Sequence, residues 1–501
     1  MSGTVLDRVI GAAPTPGHHL RVARLDGTTS IELADLHARA GRLAAALHAE
    51  GIRAGDRIGI LAANGLEWVL LDLAALHLKA VTAGFEPGKF EADGGLIERY
   101  GLRTLFTDRP ATGPGIRAIS EVTALAARPG TIPPARWERQ EATTIKFTSG
   151  STGEPKGLAA SAGSIDGSLR AVQQMFAHGP ADDIFVFLPL SLLQQRYWVY
   201  SALAYGHDVT ISSYAAVFAV LRRTRPSVVM GVPGFFETAR RHIEEQARRG
   251  GTDPASAARA LFGDRIRYLW TGSAPAAPAT LEFFDACGLP IYEGYGLNET
   301  CIVSKNCPGA SRRGSVGRVL PGKRVIIGDD GVISVHSDDP VGLGYTYAAP
   351  GESERIFGPD GTVRTGDLGH LDEDGFLYIE GRADDVIVLD NGRKVIVRPI
   401  EERLRASPLV AQAVVFCPTQ SHLVAVLSPT GSVDRSALAA HLSAANAALA
   451  RDEQVRRVVV ADEPFSIDNG LLTSQYKPRR KQIFARYAAA ITAKGDGVHV
   501  Q

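Results

Sequence analysis

The sequence predicts an α/β protein in which a large N-terminal domain of helix-flanked β-sheets carries a small β-barrel and is followed by a small, mobile α+β C-terminal domain. Three changes of rhythm along the chain support this expectation. Up to about residue 300, short apolar runs alternate with helical patterns, the arrangement that builds βαβ units. From Gly314 to Glu380 the chain is Gly-rich, with short alternating segments such as Gly-Phe-Leu-Tyr-Ile-Glu-Gly at 375–381, which read as β-hairpins. After Gly381 come strand-like runs, one long helical stretch and a basic run near the end. The division falls at 382–385, giving domains of 1–381 and 382–501.

The elements follow in order. Asp35 to Glu50 places Leu36, Ala40, Leu43 and Leu47 on one helical face, and Gly51 ends it. Ile58 to Ala62 reads as a strand, Leu66 to Leu78 as a second helix and Thr144 to Phe147 as a strand. Further strand-like runs lie at 184–188, 209–211, 228–232 and 268–270, with a helix over 237–247. In the C-terminal part, 413–417 and 423–428 read as strands and 435–451 as a helix.

Composition narrows the function. A chain of 501 residues, 45% of them hydrophobic, can bury more than one core. Lys plus Arg and Asp plus Glu number 54 each, so no overall field favours nucleic acid or an anionic membrane surface, and any anion site is local. Cys287, Cys301, Cys307 and Cys417 form no CxxC pair and have no nearby histidine at ligand spacing, so neither disulfides nor zinc are expected. The longest apolar stretch, 68–81, is broken by Asp72, His77 and Lys79, and the N-terminus lacks a basic segment leading into an apolar run. A cytoplasmic protein without a membrane span is the expectation.

The strongest local signal is Thr148-Ser149-Gly150-Ser151-Thr152-Gly153-Glu154-Pro155-Lys156-Gly157, directly after a strand. Glycines let the backbone approach a polyphosphate, while hydroxyls and the Lys156 ammonium add donors and charge. A Walker loop needs Gly before its lysine and Ser or Thr after it, and Pro155 and Gly157 hold those places.

With this loop followed in order by Tyr295-Gly296-Leu297-Asn298-Glu299-Thr300, Thr365-Gly366-Asp367, Gly381-Arg382 and a late lysine, nearly the whole chain resembles the adenylate-forming superfamily. That superfamily includes acyl-CoA synthetases, peptide-synthetase adenylation domains and luciferases. The segments 188–196, 232–237, 293–300 and 469–481 look most like long-chain acyl-CoA synthetases. The resemblance implies ATP and Mg²⁺ as cofactors, with coenzyme A possible. It makes Thr148, Ser149, Gly150, Ser151, Thr152, Gly153 and Lys156 the phosphate site and Glu299 the Mg²⁺ anchor, with Thr300 on the α-phosphate. Gly272, Ser273, Ala274, Pro275, Tyr295 and Gly296 would form the adenine slot, with Asp367 and Arg382 at the ribose. Lys477 would bridge carboxylate and α-phosphate in the transition state. Asp384 would be the hinge about which the C-terminal domain moves between adenylation and transfer, bringing the loop Asn391 to Val395 toward the second substrate. Substrate-pocket residues fall among Leu192, Val232, Phe235, Gly294 and Lys305.

Several positions depart from the family pattern. Leu192 stands where many relatives carry a histidine, Gln195 replaces a frequent glutamate, and Asp-Asn-Gly-Arg-Lys-Val at 390–395 replaces Gly-Gly-Lys-Asn-Val. Lys146 and Lys305 add cations beside two motifs. They are either surface charges or the holders of a small or doubly anionic substrate, since an alkyl tunnel has no use for a lysine. Three readings stay open. One is a ligase passing a fatty or aromatic acid to coenzyme A or a carrier protein. Another is a diazotase of specialised metabolism that adenylates nitrite for attack by an arylamine. The third, a nucleotide-binding pseudoenzyme, is disfavoured by the presence of Lys156, Glu299, Asp367, Arg382 and Lys477.

Overall fold

The computed structural model describes residues 3–149, 155–431, 434–473, 476–493, 495 and 497–500. The alternation of strands and helices up to residue 300 resolves into two mainly parallel sheets. The six-stranded sheet runs Ile116–Ala118, Thr104–Thr107, Arg57–Leu61, Val81–Phe85, Ala142–Ser149, Pro155–Ser161; its last two strands form an antiparallel hairpin. The nine-stranded sheet is parallel from His19–Ala23 through Asp208–Ile211, Asp183–Val186, Val228–Gly231 and Tyr268–Thr271 to Ile291–Leu297, with antiparallel neighbours at both edges. Parallel strands are covered on both faces, which is why Thr104–Thr107, Asp183–Val186 and Val228–Gly231 are buried throughout.

The helix Leu66–Leu78 is buried all round from Trp68 onward, so its sequence lacks a polar stripe. Its buried carboxylate, Asp72, is matched from a distant helix, Leu193–Tyr205: Arg196 lies 2.8 Å away and the Tyr200 hydroxyl donates to it. Arg196 also donates to Thr144 Oγ1 at 3.0 Å, joining this network to the strand Ala142–Ser149. Removing one partner of such a buried pair costs on the order of 3–5 kcal/mol.

The Gly-rich segment forms a four-stranded antiparallel sheet in the order Lys323–Ile327, Val332–Ser337, Val363–Leu371, Leu377–Arg382. Its edge strands do not pair with each other among the described residues, so the expected barrel is an open sheet. The chain between Ser337 and Val363 leaves the ladder instead of adding the strands that closure needs. After the 3₁₀ turn Ala383–Asp385, a hairpin (Ile387–Val388 with Lys394–Val395) precedes a second four-stranded sheet, Val410–Phe416, Leu423–Pro429, Val455–Val460, Gly497–Val500. The helix Arg435–Ala447 ends short of the expected Arg451, which opens a separate 3₁₀ turn.

This C-terminal unit docks on the rest of the chain through a few specific contacts. Arg405 pairs with Glu237 at 2.8 Å, Arg398 donates to Ile379 O at 2.6 Å, and the rings of Tyr214 and Tyr476 stack 5.5 Å apart. Arg480, in the basic run near the end of the chain, is half-buried and paired to Glu401 and Asp385. Among the described residues no helix is long and apolar enough to cross a membrane.

Candidate active site

Two hairpins and the docked C-terminal unit build the site. The first hairpin pairs Ala142–Ser149 with Pro155–Ser161, Thr148 opposite Lys156 and Ser149 opposite Pro155. Gly150, Ser151, Thr152 and Gly153, which follow Ser149 in the sequence, lie outside the described residues. Lys156 forms a 2.8 Å ion pair with Glu352 and sits 5.4 Å from the Tyr345 ring centroid. In the second hairpin, Ile291–Leu297 returns as Cys301–Lys305 across a turn made by Asn298, Glu299 and Thr300. Cys301 adopts φ 54°, the left-handed residue that closes such turns, and a Cβ on Gly296 would lie 1.9 Å from Cys301 O. Only glycine fits at 296. The turn holds Glu299 at its tip, where Oε1 accepts from the Tyr345 hydroxyl at 2.7 Å and the other oxygen has no partner among the described residues.

A cleft of about 980 Å³ opens between these elements. Gly272, Ser273, Ala274, Pro275, Tyr295, Gly296, Glu299, Asp367, Arg382 and Lys477 all line it, from sequence positions more than 200 residues apart. Ser273 holds φ 70° in the turn after Tyr268–Thr271, and Glu293 Oε1 accepts from Ala276 N at 3.3 Å, bracing that turn. Burial pushes the Glu293 carboxyl upward. Asp367 sits opposite Arg382 in the Val363–Leu371 and Leu377–Arg382 ladder. Its Oδ1 accepts from Arg382 at 2.9 Å and its Oδ2 from the Tyr295 hydroxyl at 2.6 Å. Each carboxylate oxygen can accept one further hydrogen bond. Asp384, one turn on, is 88% exposed and carries little packing that would resist rotation.

Lys477 enters this cleft from the C-terminal unit. Its backbone exchanges hydrogen bonds with Thr473, and Tyr476 before it adopts φ 59° while stacking on Tyr214. The side chain is open to the cleft's solvent but walled by protein. Desolvation lowers its pKa and Arg382 adds to this, while Asp367 works against it.

The remaining expectations separate. Leu192, Val232 and Gly294 line the cleft. Phe235 does not: it is fully buried against Phe187, Phe236 and Phe218, at 4.7, 5.0 and 5.5 Å. Thr300 is also buried, its hydroxyl accepting from Leu297 N and donating to Cys301 O, which closes the turn instead of facing the cleft. Neither Lys305 nor Lys146 is a surface charge. Lys305 is 0% exposed and stands behind the cleft wall, its ammonium 3.6 Å from the Trp270 ring centroid and donating to Tyr292 O and Thr271 O; burial drives its pKa far down. Lys146, 5% exposed, does line the cleft. Sequence reasoning missed Tyr345, Glu293 and Trp270. Glu293 adjoins a recognised motif, but Tyr345 reaches Glu299 from a loop with no pattern of its own.

Comparison with known proteins agrees with this arrangement. Residues 12–342 match the AMP-binding enzyme family and residues 384–494 match the AMP-binding enzyme C-terminal domain. The chain therefore belongs to the AMP-binding enzymes, the adenylate-forming ligases. It is 28% identical to a long-chain-fatty-acid–CoA ligase of Mycobacterium tuberculosis, over 94% of this chain and 93% of that protein. To the peroxisomal long chain acyl-CoA synthetase 7 of Arabidopsis thaliana it is 25% identical, over 88% and 78%. Among solved structures, ATP-bound MatB from Rhodopseudomonas palustris superposes with a TM-score of 0.81 at 22% identity, covering 98% of this chain and 100% of that one. O-succinylbenzoate coenzyme A synthetase from Bacillus subtilis, in complex with ATP and magnesium, gives 0.77 at 23%, covering 96% and 99%. These relatives give no support to the diazotase alternative.

Proposed function

We propose that the protein adenylates a carboxylic acid with ATP and transfers the acyl group to a thiol, that of coenzyme A. The observation that carries this reading is the convergence of Lys477, from the C-terminal unit, on a cleft already lined by Tyr295, Glu299, Asp367 and Arg382. In the first step a carboxylate oxygen attacks the α-phosphorus and the bond to the β-phosphate oxygen breaks, releasing pyrophosphate. Two anions must meet, so positioning and charge neutralisation supply the catalysis. Lys477 serves both, because its ammonium enters the cleft where the two anions must meet. Asp367 and Arg382 hold the ribose, the Tyr295 face and the 272–275 turn hold adenine, and the loop ending at Lys156 takes the phosphates. The unpartnered oxygen of Glu299 suits Mg²⁺, a hard ion that binds through one carboxylate plus phosphates and water and would neutralise phosphate charge.

In the second step the thiol sulfur attacks the acyl carbon and AMP leaves. The 1–381 and 382–501 division, with Asp384 as hinge, accounts for how Lys477 withdraws and the loop Asn391 to Val395, exposed up to Lys394, approaches between steps. The fatty-acid–CoA ligase relatives favour coenzyme A as acceptor. A structural neighbour from Segniliparus rugosus, the A-PCP didomain of a carboxylic acid reductase, makes a carrier-protein thiol the second choice. The test is pyrophosphate release from Mg-ATP across a panel of acids, with and without coenzyme A. Acid-dependent release that yields acyl-CoA when the thiol is present supports the reading; release indifferent to every acid refutes it.

A further inference from the structure

The lining of the cleft contains polar groups whose demands the protein does not meet. Lys146 donates to Asn298 O and lies 3.6 Å from Cys301 Sγ. Among the described residues no carboxylate comes within ion-pair distance of it. A buried ammonium with three donors and a full charge is poorly served by one carbonyl and one thiol. Burial alone would raise the Cys301 thiol, but Lys146 and Lys323 more than offset this and its pKa falls. Gln195, also in the lining, on the helix Leu193–Tyr205, is 7% exposed, and its Oε1 is buried without a hydrogen-bond partner. The Oγ of Ser191, also in the lining, is buried and unpartnered. A rotation of the Gln195 amide exchanges its two ends, so it can offer an N–H donor as readily as an acceptor.

The lining is not a plain alkyl tunnel, for Lys146, Ser191, Gln195 and Trp270 all belong to it. Trp270 lines the cleft and is backed by Phe176 at 5.3 Å, Trp198 at 5.4 Å and the Lys305 ammonium over its ring. The same 980 Å³ must also hold the nucleotide. A long apolar tail would have to lie on an unneutralised ammonium and an unpaired amide.

Resting on the adenylation reading above, we propose that the acid is a small, polar oxyacid without an alkyl tail, with Lys146 as its counter-ion and Gln195 and Ser191 as hydrogen-bond partners. Lys146, not Lys305, is the specificity-determining cation. Short polar carboxylates and nitrite share this chemistry; nitrite as the best acid would support this pocket but overturn the carboxylic acid of the reading above.

The experiment is pyrophosphate release by the full-length enzyme from Mg-ATP with malonate, a hydroxybenzoate, nitrite, hexanoate or palmitate. At least one of the first three should exceed hexanoate and palmitate in kcat/KM by about 100-fold. Lys146→Met should raise KM for that acid by about 10- to 100-fold, as expected for losing a charge-assisted contact, with the KM for ATP within about twofold. Methionine keeps the volume and removes a buried charge, and Gln195→Leu, expected to raise the same KM, tests the same pocket if Lys146→Met fails to fold. Palmitate or hexanoate as the best acid, or an acid KM unmoved in these variants, overturns the inference and leaves adenylation standing. Silence with every acid overturns the adenylation reading and this inference with it.

Discussion

Tyr295 donates its hydroxyl to Oδ2 of Asp367 at 2.6 Å, so an aromatic residue of the large parallel sheet is tied to a carboxylate of the antiparallel one. Burial and Asp367 together push the phenol pKa upward, which keeps it a donor at any working pH. Tyr295→Phe retains the ring face but frees Asp367 to drift. The expected result is a KM for ATP raised about tenfold, near 1.4 kcal/mol, with the melting temperature little changed. An unchanged KM would mean that this contact does not shape the nucleotide site.

How the two parts of the chain are held in this pose can be tested separately. Glu237 and Arg405 form a half-buried ion pair, which merits about 0.5–1 kcal/mol. Glu237→Gln should slow pyrophosphate release two- to fivefold by populating undocked arrangements, without lowering the melting temperature of the large domain. Swapping the charges, Glu237→Arg with Arg405→Glu, should recover most of the rate. A double variant no better than the single ones would remove the pair from the docking energetics.

Much of this was legible in the chain, and the gaps have physical causes. The strand and helix runs up to residue 300 were readable because buried parallel strands are continuous apolar segments, and Leu66–Leu78 was found whole for the same reason. The ten cleft residues at 272–275, 295, 296, 299, 367, 382 and 477 were legible as motifs. The strand Ala142–Ser149 buries consecutive residues from Thr143 to Lys146, so both faces are covered and alternation could not reveal that Lys146 points inward. Asp72 announced itself as a carboxylate in an apolar helix, but nothing local names Arg196, 124 residues away, as its partner. Phe235 and Lys305 were misassigned because period and motif proximity do not tell which side of a wall a residue occupies.

Histidines set the acid limit of the fold. Burial, helped by His37, holds His77 down to about 4, and both its ring nitrogens are buried without partners. His207 lies at about 4 and His178 at about 3, again chiefly through burial. In the unfolded chain each titrates near its ordinary 6.5, so between that value and 4 the unfolded state binds more protons. Stability is therefore level above about pH 6.5 and falls as the pH drops toward 4, by about 3 kcal/mol for His77 alone. His77→Phe should move the midpoint of acid unfolding to lower pH without loss of melting temperature at pH 7, followed by circular dichroism. A midpoint that stays put would show that His77 is not among the groups that set it.

The central claim is that a cation from the C-terminal unit completes an acid-adenylating site. Exchange of labelled pyrophosphate into ATP, measured with Mg²⁺ and an acid but no thiol, isolates that first step and its reversal. The expected result is acid-dependent exchange that falls by about 10²- to 10³-fold in Lys477→Ala while ATP still binds. Full exchange in Lys477→Ala, or conversion of ATP to ADP and phosphate in place of exchange, would contradict it.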